Sequence, residues 1–374
     1  MEASRERLPS LDGWRAISIL VVLAGHLGGN LPEGSKLGAF LHANSYSAQG
    51  VNIFFVISGF LITTLLLDEK QASRSISLRR FYVRRAFRIF PVFYLYVLTI
   101  LLLNFVLDWN ISPVLFVKTS LYLNNFSFLG LTWVLIHSWS LSVEEQYYLM
   151  WPLVVKWTST GRQLIAICIA FCSVGAVVRV AVYYWARRGT SSVPPLVQDL
   201  LRGFVTLADP IFVGSAFAIL NKRYDFKTVF SNAGVRAISI FSSVLAFATI
   251  EVLRQHYRGG AITVPLGETI QSVACAMCLL YTIHRKSLLS ALLNLRVLRL
   301  IGLWSYSLYI WQELFLFSRI PFPFLTPPAM PQYWFTAFPL NLLLLFAVAV
   351  SSYYFWERPF LRLRRRFFAD HPAS

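Results

Sequence analysis

Charge is scarce in this chain. Asp, Glu, Lys and Arg supply only 14% of its 374 residues, 56% are hydrophobic, and the mean hydropathy is +0.58. That balance excludes an ordinary soluble domain. Cysteine is rare as well. Cys168, Cys172, Cys275 and Cys278 all fall inside apolar runs and read as small packing residues, so neither a disulfide framework nor a metal centre is expected, despite the close spacing of the last two. There is no heptad, solenoid period or low-complexity linker, and no second soluble domain is read after the last apolar run. Acidic residues number 17 against 34 basic ones, a net charge of +17. Nucleic acid is not the expected partner, because the basic residues crowd into a few short stretches, as they do in the loops that orient a membrane protein. These stretches are the N-terminal SRER, Lys70 to Arg88, the link holding His284, Arg285, Lys286, Arg296 and Arg299, and Arg358 to Arg366.

What is abundant is long apolar sequence. Runs able to cross a bilayer are read at about 14–30, 48–68, 87–107, 140–157, 163–184, 208–221, 234–252, 262–283, 300–318 and 334–356. The fold class is therefore all-α, a polytopic bundle of about ten transmembrane helices forming a single domain over 1–374. With ten spans the basic stretches share one side, so both termini are expected in the cytoplasm, together with a basic loop at 69–88 and a basic tail at 358–374. The tail is also placed to meet anionic lipid. Segment 113–131 is apolar but broken by Lys118, Asn124 and Asn125, and reads as re-entrant or interfacial. Loops 31–47, 185–207 and 320–333 would face outward, with Arg187 and Arg188 fitting that side less well. The first run lacks a small-x-small cleavage site and reads as a retained span.

That run, LDGWRAISILVVLAGH, carries Arg15 and His26. Eleven residues make about three helical turns, so the two side chains share a face roughly 16 Å apart along the axis. Asp12 reads as the N-cap, with Arg15 in the first turn near the cytoplasmic interface and His26 in the outer half of the bilayer. Snorkelling at a helix end accounts for an arginine there, but an intramembrane histidine marks a working site.

Three further stretches carry polar groups. Gly50 to Thr63 opens the second span, where Gly50 and Gly59 permit close helix approach and Asn52, Ser58 and Thr63 can hydrogen-bond within a bundle. Arg79, Arg80, Arg84, Arg85 and Arg88 precede Pro91; Arg85 and Arg88 share a face, and guanidinium forks suit phosphate oxygens. The third runs from His137 to Pro152. Ser142 and Glu145 fit a capping box, which would start a helix at the outer surface, and Glu144 and Tyr148 point together at about the depth of His26. A carboxylate there would orient the imidazole as a general base needs.

Taken together, the Arg15 to His26 spacing, NIFFVISGFLIT, RRAFRIFP, HSWSLSVEEQYYL and SYSLYIWQ resemble the acyltransferase 3 family of integral-membrane acyltransferases, O-antigen acetylases among them. The likeness covers nearly the whole chain. It implies a bacterial inner-membrane O-acyltransferase that takes an acyl group, usually acetyl, from cytoplasmic acyl-CoA to a hydroxyl of a carbohydrate, glycolipid or other envelope acceptor, without a metal. By motif, His26 and Glu144 correspond to catalytic residues, and Arg15, Arg85 and Arg88 to donor-binding ones. Asn52, Ser58, Trp139 and Tyr148 fall where substrate would be lined. Asn52 stands where many members have aspartate and Gln312 where many have histidine, so neither position is expected to titrate. A transporter or flippase of a lipid-linked glycan is the alternative class, with the arginines on a diphosphate headgroup; it would move glycan without consuming acyl-CoA.

Overall fold

The computed structural model describes residues 10–32, 34–44, 47–126, 130–186, 199–200, 203–255, 260–316 and 333–369. The SRER stretch, Arg187, Arg188, most of loops 185–207 and 320–333, and the end of the tail lie outside the described residues. All regular structure among the described residues is helical. The main helices are α1 (Leu11–Leu27), α2 (Ser47–Ser73), α3 (Leu78–Val106), α4 (Trp139–Trp157), α5 (Gly161–Ala186), α6 (Asp209–Arg223), α7 (Ala233–Gln255), α8 (Glu268–His284), α9 (Arg296–Phe315), α10 (Leu340–Ser352) and α11 (Arg358–Ala369). Seven helical stretches are long and apolar enough to cross a membrane: 11–30, 47–73, 78–106, 161–185, 233–253, 263–284 and 340–364. The chain is a multi-pass membrane protein. The three other apolar runs read from sequence coincide with α4, α6 and α9. Helix α6 has only 15 residues, and α4 and α9 carry charges, Glu144, Glu145 and Lys156 in one and Arg296, Arg299 and Glu313 in the other.

The chain divides into two compact units. The first comprises 1–18, 49–76 and 147–303. Its core joins Leu11 and Trp14 to Val56, Ile57 and Phe60 of α2, Val213 and Ala218 of α6, and Ala276, Leu279 and Leu280 of α8. Cys172, Cys275 and Cys278 pack against it as free thiols, the small-residue role expected of them. Helices α2 and α6 approach backbone to backbone: a Cβ at Gly59 would sit 1.9 Å from the Ile211 carbonyl oxygen, and one at Gly214 would sit 2.1 Å from that of Val56. Each glycine is thus a requirement of its neighbour, and Gly59→Ala or Gly214→Ala should destabilise the protein by about 1–3 kcal/mol through overpacking. Thermal unfolding in detergent would show this as a lowered midpoint, and an unchanged midpoint would mean that the helices separate at no cost.

The second unit comprises 19–48, 77–146 and 304–374. Stretch 69–88 is mostly helical rather than a loop: α2 runs to Ser73 and α3 begins at Leu78, with the Ser77 side chain accepting from the Arg80 amide at 3.5 Å. Arg79 to Arg88 therefore ride the first turns of a 29-residue helix. Among the described residues of 113–131 only an eight-residue helix, Pro113–Ser120, forms. Its Lys118 is 2% exposed and donates to the carbonyls of Phe126 at 2.8 Å and Gly130 at 2.6 Å, which closes the segment on itself. Asn124, also buried, donates to Thr119, Leu135 and Ser138.

Candidate active site

Two helix starts differ from the sequence reading. Helix α1 begins at Leu11 with the Trp14 amide bonded to the Ser10 carbonyl at 2.9 Å, so Asp12 lies inside the first turn and pairs with Arg15 at 3.6 Å instead of capping. Glycines close to this turn keep it tight: a Cβ at Gly13 would meet the Leu293 carbonyl oxygen at 2.1 Å. A cleft of about 400 Å³ opens beside Asp12, lined also by Asn294, Arg296, Arg299, Leu300 and Leu303. Helix α4 begins at Trp139, and Ser142 donates to the Ser138 carbonyl at 3.0 Å while accepting from the Asn124 amide at 3.2 Å. The capping box with Glu145 is not formed, because a short 3-10 turn, Ile136–Ser138, has already started the helix. Glu145 instead has a buried carboxylate oxygen, and the Arg85 charge acts on it.

His26 sits at the C-terminal end of α1, where Asn30 donates to its carbonyl at 2.8 Å and the chain turns through Gly28–Asn30. Its side chain is 13% exposed. The carboxylate set against it belongs to Glu313 of α9, with Oε2 at 3.8 Å from Nδ1 and 2% exposure. That separation is too long for a direct hydrogen bond, but it sets a buried carboxylate beside the imidazole. A carboxylate on the Nδ1 side leaves Nε2 for a reacting proton, an arrangement that suits a general base. Glu313 was not selected from sequence, although a carboxylate within the apolar run 300–318 is the kind of residue that marks a site.

The end of α9 is fixed by its neighbours in this unit. Tyr306 donates to the Ile89 carbonyl at 2.7 Å, Ser307 donates to Glu357 at 2.9 Å, and the Tyr309 hydroxyl bonds the His137 carbonyl at 3.0 Å and Ser140 at 2.6 Å. Tyr309, Gln312 and Glu313 are three and four residues apart and share a face. The arginine pair lies on α3, where Arg85 also covers the Phe81 ring at 5.8 Å. Glu357, Glu145, Glu144 and Arg88 all act electrostatically on Tyr306, and Arg85 acts on Glu145.

The sequence-derived residues divide between the units. His26, Arg85, Arg88, Trp139 and Glu144 belong to the second, while Arg15, Asn52, Ser58 and Tyr148 belong to the first. Asn52 and Ser58 are half-buried on α2, and Tyr148 is 4% exposed. Among the described residues no cluster of histidine, cysteine and acidic side chains is arranged to hold a metal ion.

A family model described as an acyltransferase domain matches residues 8–357. The chain belongs to the acyltransferase 3 family. Similar curated proteins are the peptidoglycan O-acetyltransferase OatA of Listeria monocytogenes, 28% identical over 95% of this chain and 56% of its own length, and the putative peptidoglycan O-acetyltransferase YrhL of Bacillus subtilis, 27% identical over 94% and 54%. The O-acetyltransferase OatA of Staphylococcus aureus is 26% identical over 98% of this chain and 59% of its own length. The chain thus spans a little over half the length of these relatives of the family. No solved structure matches it.

Proposed function

We propose that this protein is a membrane O-acetyltransferase that moves acetyl from cytoplasmic acyl-CoA to a hydroxyl of a cell-wall glycan, working in the bacterial inner membrane with about ten spans and both termini in the cytoplasm. The relatives' names support the reaction and the class of acceptor. The observation that carries the site is the 3.8 Å approach of Glu313 to Nδ1 of His26 inside an apolar helix pair. In this reading Nε2 of His26 takes the acceptor's hydroxyl proton as its oxygen attacks the thioester carbon. The C–S bond then breaks and the proton passes to the departing thiolate. Glu313 lies on the Nδ1 side of the ring, where its charge would stabilise the imidazolium formed as the proton is taken. Arg85 and Arg88 are the proposed holders of the donor's phosphates, and Arg15 is the basic partner on the helix of His26. Glu144 is proposed as a second acid, and Asn52, Ser58, Trp139 and Tyr148 as substrate-binding residues.

The test is reconstitution of the whole chain in proteoliposomes with radiolabelled acetyl-CoA on the side of the termini and peptidoglycan glycan fragments on the other. Label on the glycan with release of free CoA supports the reading. Glycan crossing the bilayer without CoA release overturns it in favour of a transporter. In the same assay Glu313→Gln should lower the rate roughly 10- to 100-fold, because an amide keeps the shape but not the charge that favours the imidazolium. A rate within twofold of wild type would leave Glu313 outside the mechanism.

A further inference from the structure

Several buried polar atoms of the second unit lack hydrogen-bond partners, and two of the side chains that carry them pack on one tyrosine. His137 is 4% exposed, and neither ring nitrogen makes a well-formed hydrogen bond. Gln312 is fully buried with both amide atoms unpartnered, and Trp311, 6% exposed, has an unpartnered Nε1. The rings of His137 and Trp311 each meet Tyr96 edge to face with centroids 5.4 Å apart, and His137 also lies 5.8 Å from the Tyr309 ring, one turn from Gln312. Tyr96 and Tyr309 spend their own hydroxyls on the backbone carbonyls of Val134 and His137. Buried polar groups are normally paired, so three side chains left short in one region is an exception. Buried water is one usual partner for such atoms, and a ligand rich in polar groups is another.

The donor and acceptor inventory says which ligand. One edge of the His137 ring faces the Ile310 carbonyl, which favours a proton on that side and a lone pair on the other. Trp311 can only donate, whereas Gln312 can donate and accept. A thioester carbonyl accepts hydrogen bonds and offers none, so it leaves His137 and the Gln312 oxygen unanswered. Neighbouring hydroxyls of a sugar ring donate and accept, and the buried rings of Tyr96, Trp311 and Tyr309 supply apolar surface beside these polar atoms. His137 also lies within electrostatic reach of His26.

We propose that His137, Trp311 and Gln312 form the subsite for the acceptor's sugar ring, pairing with hydroxyls that flank the one deprotonated at His26. This rests on the acetyltransferase reading for its acceptor, but the subsite can be tested without turnover. Soluble peptidoglycan glycan fragments should raise the thermal midpoint of the whole detergent-solubilised chain. His137→Phe and Gln312→Leu should each weaken that shift about tenfold in ligand concentration, and His137→Asn, which keeps a donor and an acceptor, should restore part of it. In the transfer assay the same variants should raise KM for glycan about tenfold and leave KM for acetyl-CoA unchanged. A glycan shift in wild type that both variants retain, a rise in KM for acetyl-CoA instead, or no glycan shift in wild type would each overturn the subsite. Glycan binding lost in both variants with no acetyl transfer by wild type would keep the subsite and overturn the acetyltransferase reading. Unliganded midpoints close to wild type separate these results from misfolding, and should His137→Phe fail that control, Gln312→Leu carries the test.

Discussion

Replacing His26 with alanine is expected to lower acetyl transfer to glycan by roughly 10²- to 10⁴-fold, the usual contribution of a positioned general base. The measurement compares cells carrying wild type or His26→Ala, matched for membrane protein, for alkali-labile acetate on isolated cell-wall glycan. Fold should survive, because the His26 ring makes no hydrogen bond through Nδ1 and its helix end is held by the Asn30 side chain, which donates to the His26 backbone carbonyl. Loss of acetate with an unchanged level of protein would therefore report chemistry rather than collapse. Equal acetate in both strains would remove His26 from the mechanism and, with it, the role given to Glu313. His26→Gln sharpens the result, since an amide keeps a hydrogen-bonding side chain of similar reach yet accepts no proton.

Much of this arrangement was legible in the sequence, and what was not legible has a physical reason. Hydropathy found the apolar helices because one run of about 20 residues suffices to signal a span, with no knowledge of neighbours. Helix α1 with both Arg15 and His26 on it was readable for the same reason, since spacing within one helix is local. Helix starts were less secure. Asp12 and Ser142 both looked like caps, but Ser10 and the turn at Ile136–Ser138 begin the helices earlier, and each side chain found another use. The partner of His26 was the largest omission. Glu313 lies 287 residues away in the chain, and only packing brings the two together. Its position inside an apolar run was a usable signal, and so was that of Arg179 and Asp209; in each case the residue could have been flagged but its partner could not.

Arg179 and Asp209 carry the second large expectation. They form a buried ion pair in the first unit, Nη2 to Oδ2 at 2.6 Å, with the two side chains 9% and 1% exposed. The guanidinium also donates to the carbonyls of Thr206 at 2.6 Å and Pro265 at 2.9 Å, and Thr269 donates to Asp209 at 2.6 Å. These two carbonyls sit where regular helix is interrupted, just before α6 and in the π-turn Thr263–Gly267. Removing Arg179 would strand a carboxylate and two carbonyls at once in a place that water does not reach. Arg179→Ala should therefore destabilise the unit by about 3 kcal/mol or more, measured as a shift in denaturant-induced unfolding in micelles. Asp209→Ala should cost a similar amount by leaving the cation unneutralised. An isolated buried pair often tolerates replacement of both charges by apolar groups. Here the double variant Arg179→Leu, Asp209→Leu should stay well below wild type, because the carbonyls of Thr206 and Pro265 and the Thr269 hydroxyl would still lack partners. Full recovery in the double variant would show that the pair matters only for its charges, whereas persistent loss identifies Arg179 as the donor that makes two breaks in helix tolerable inside a membrane.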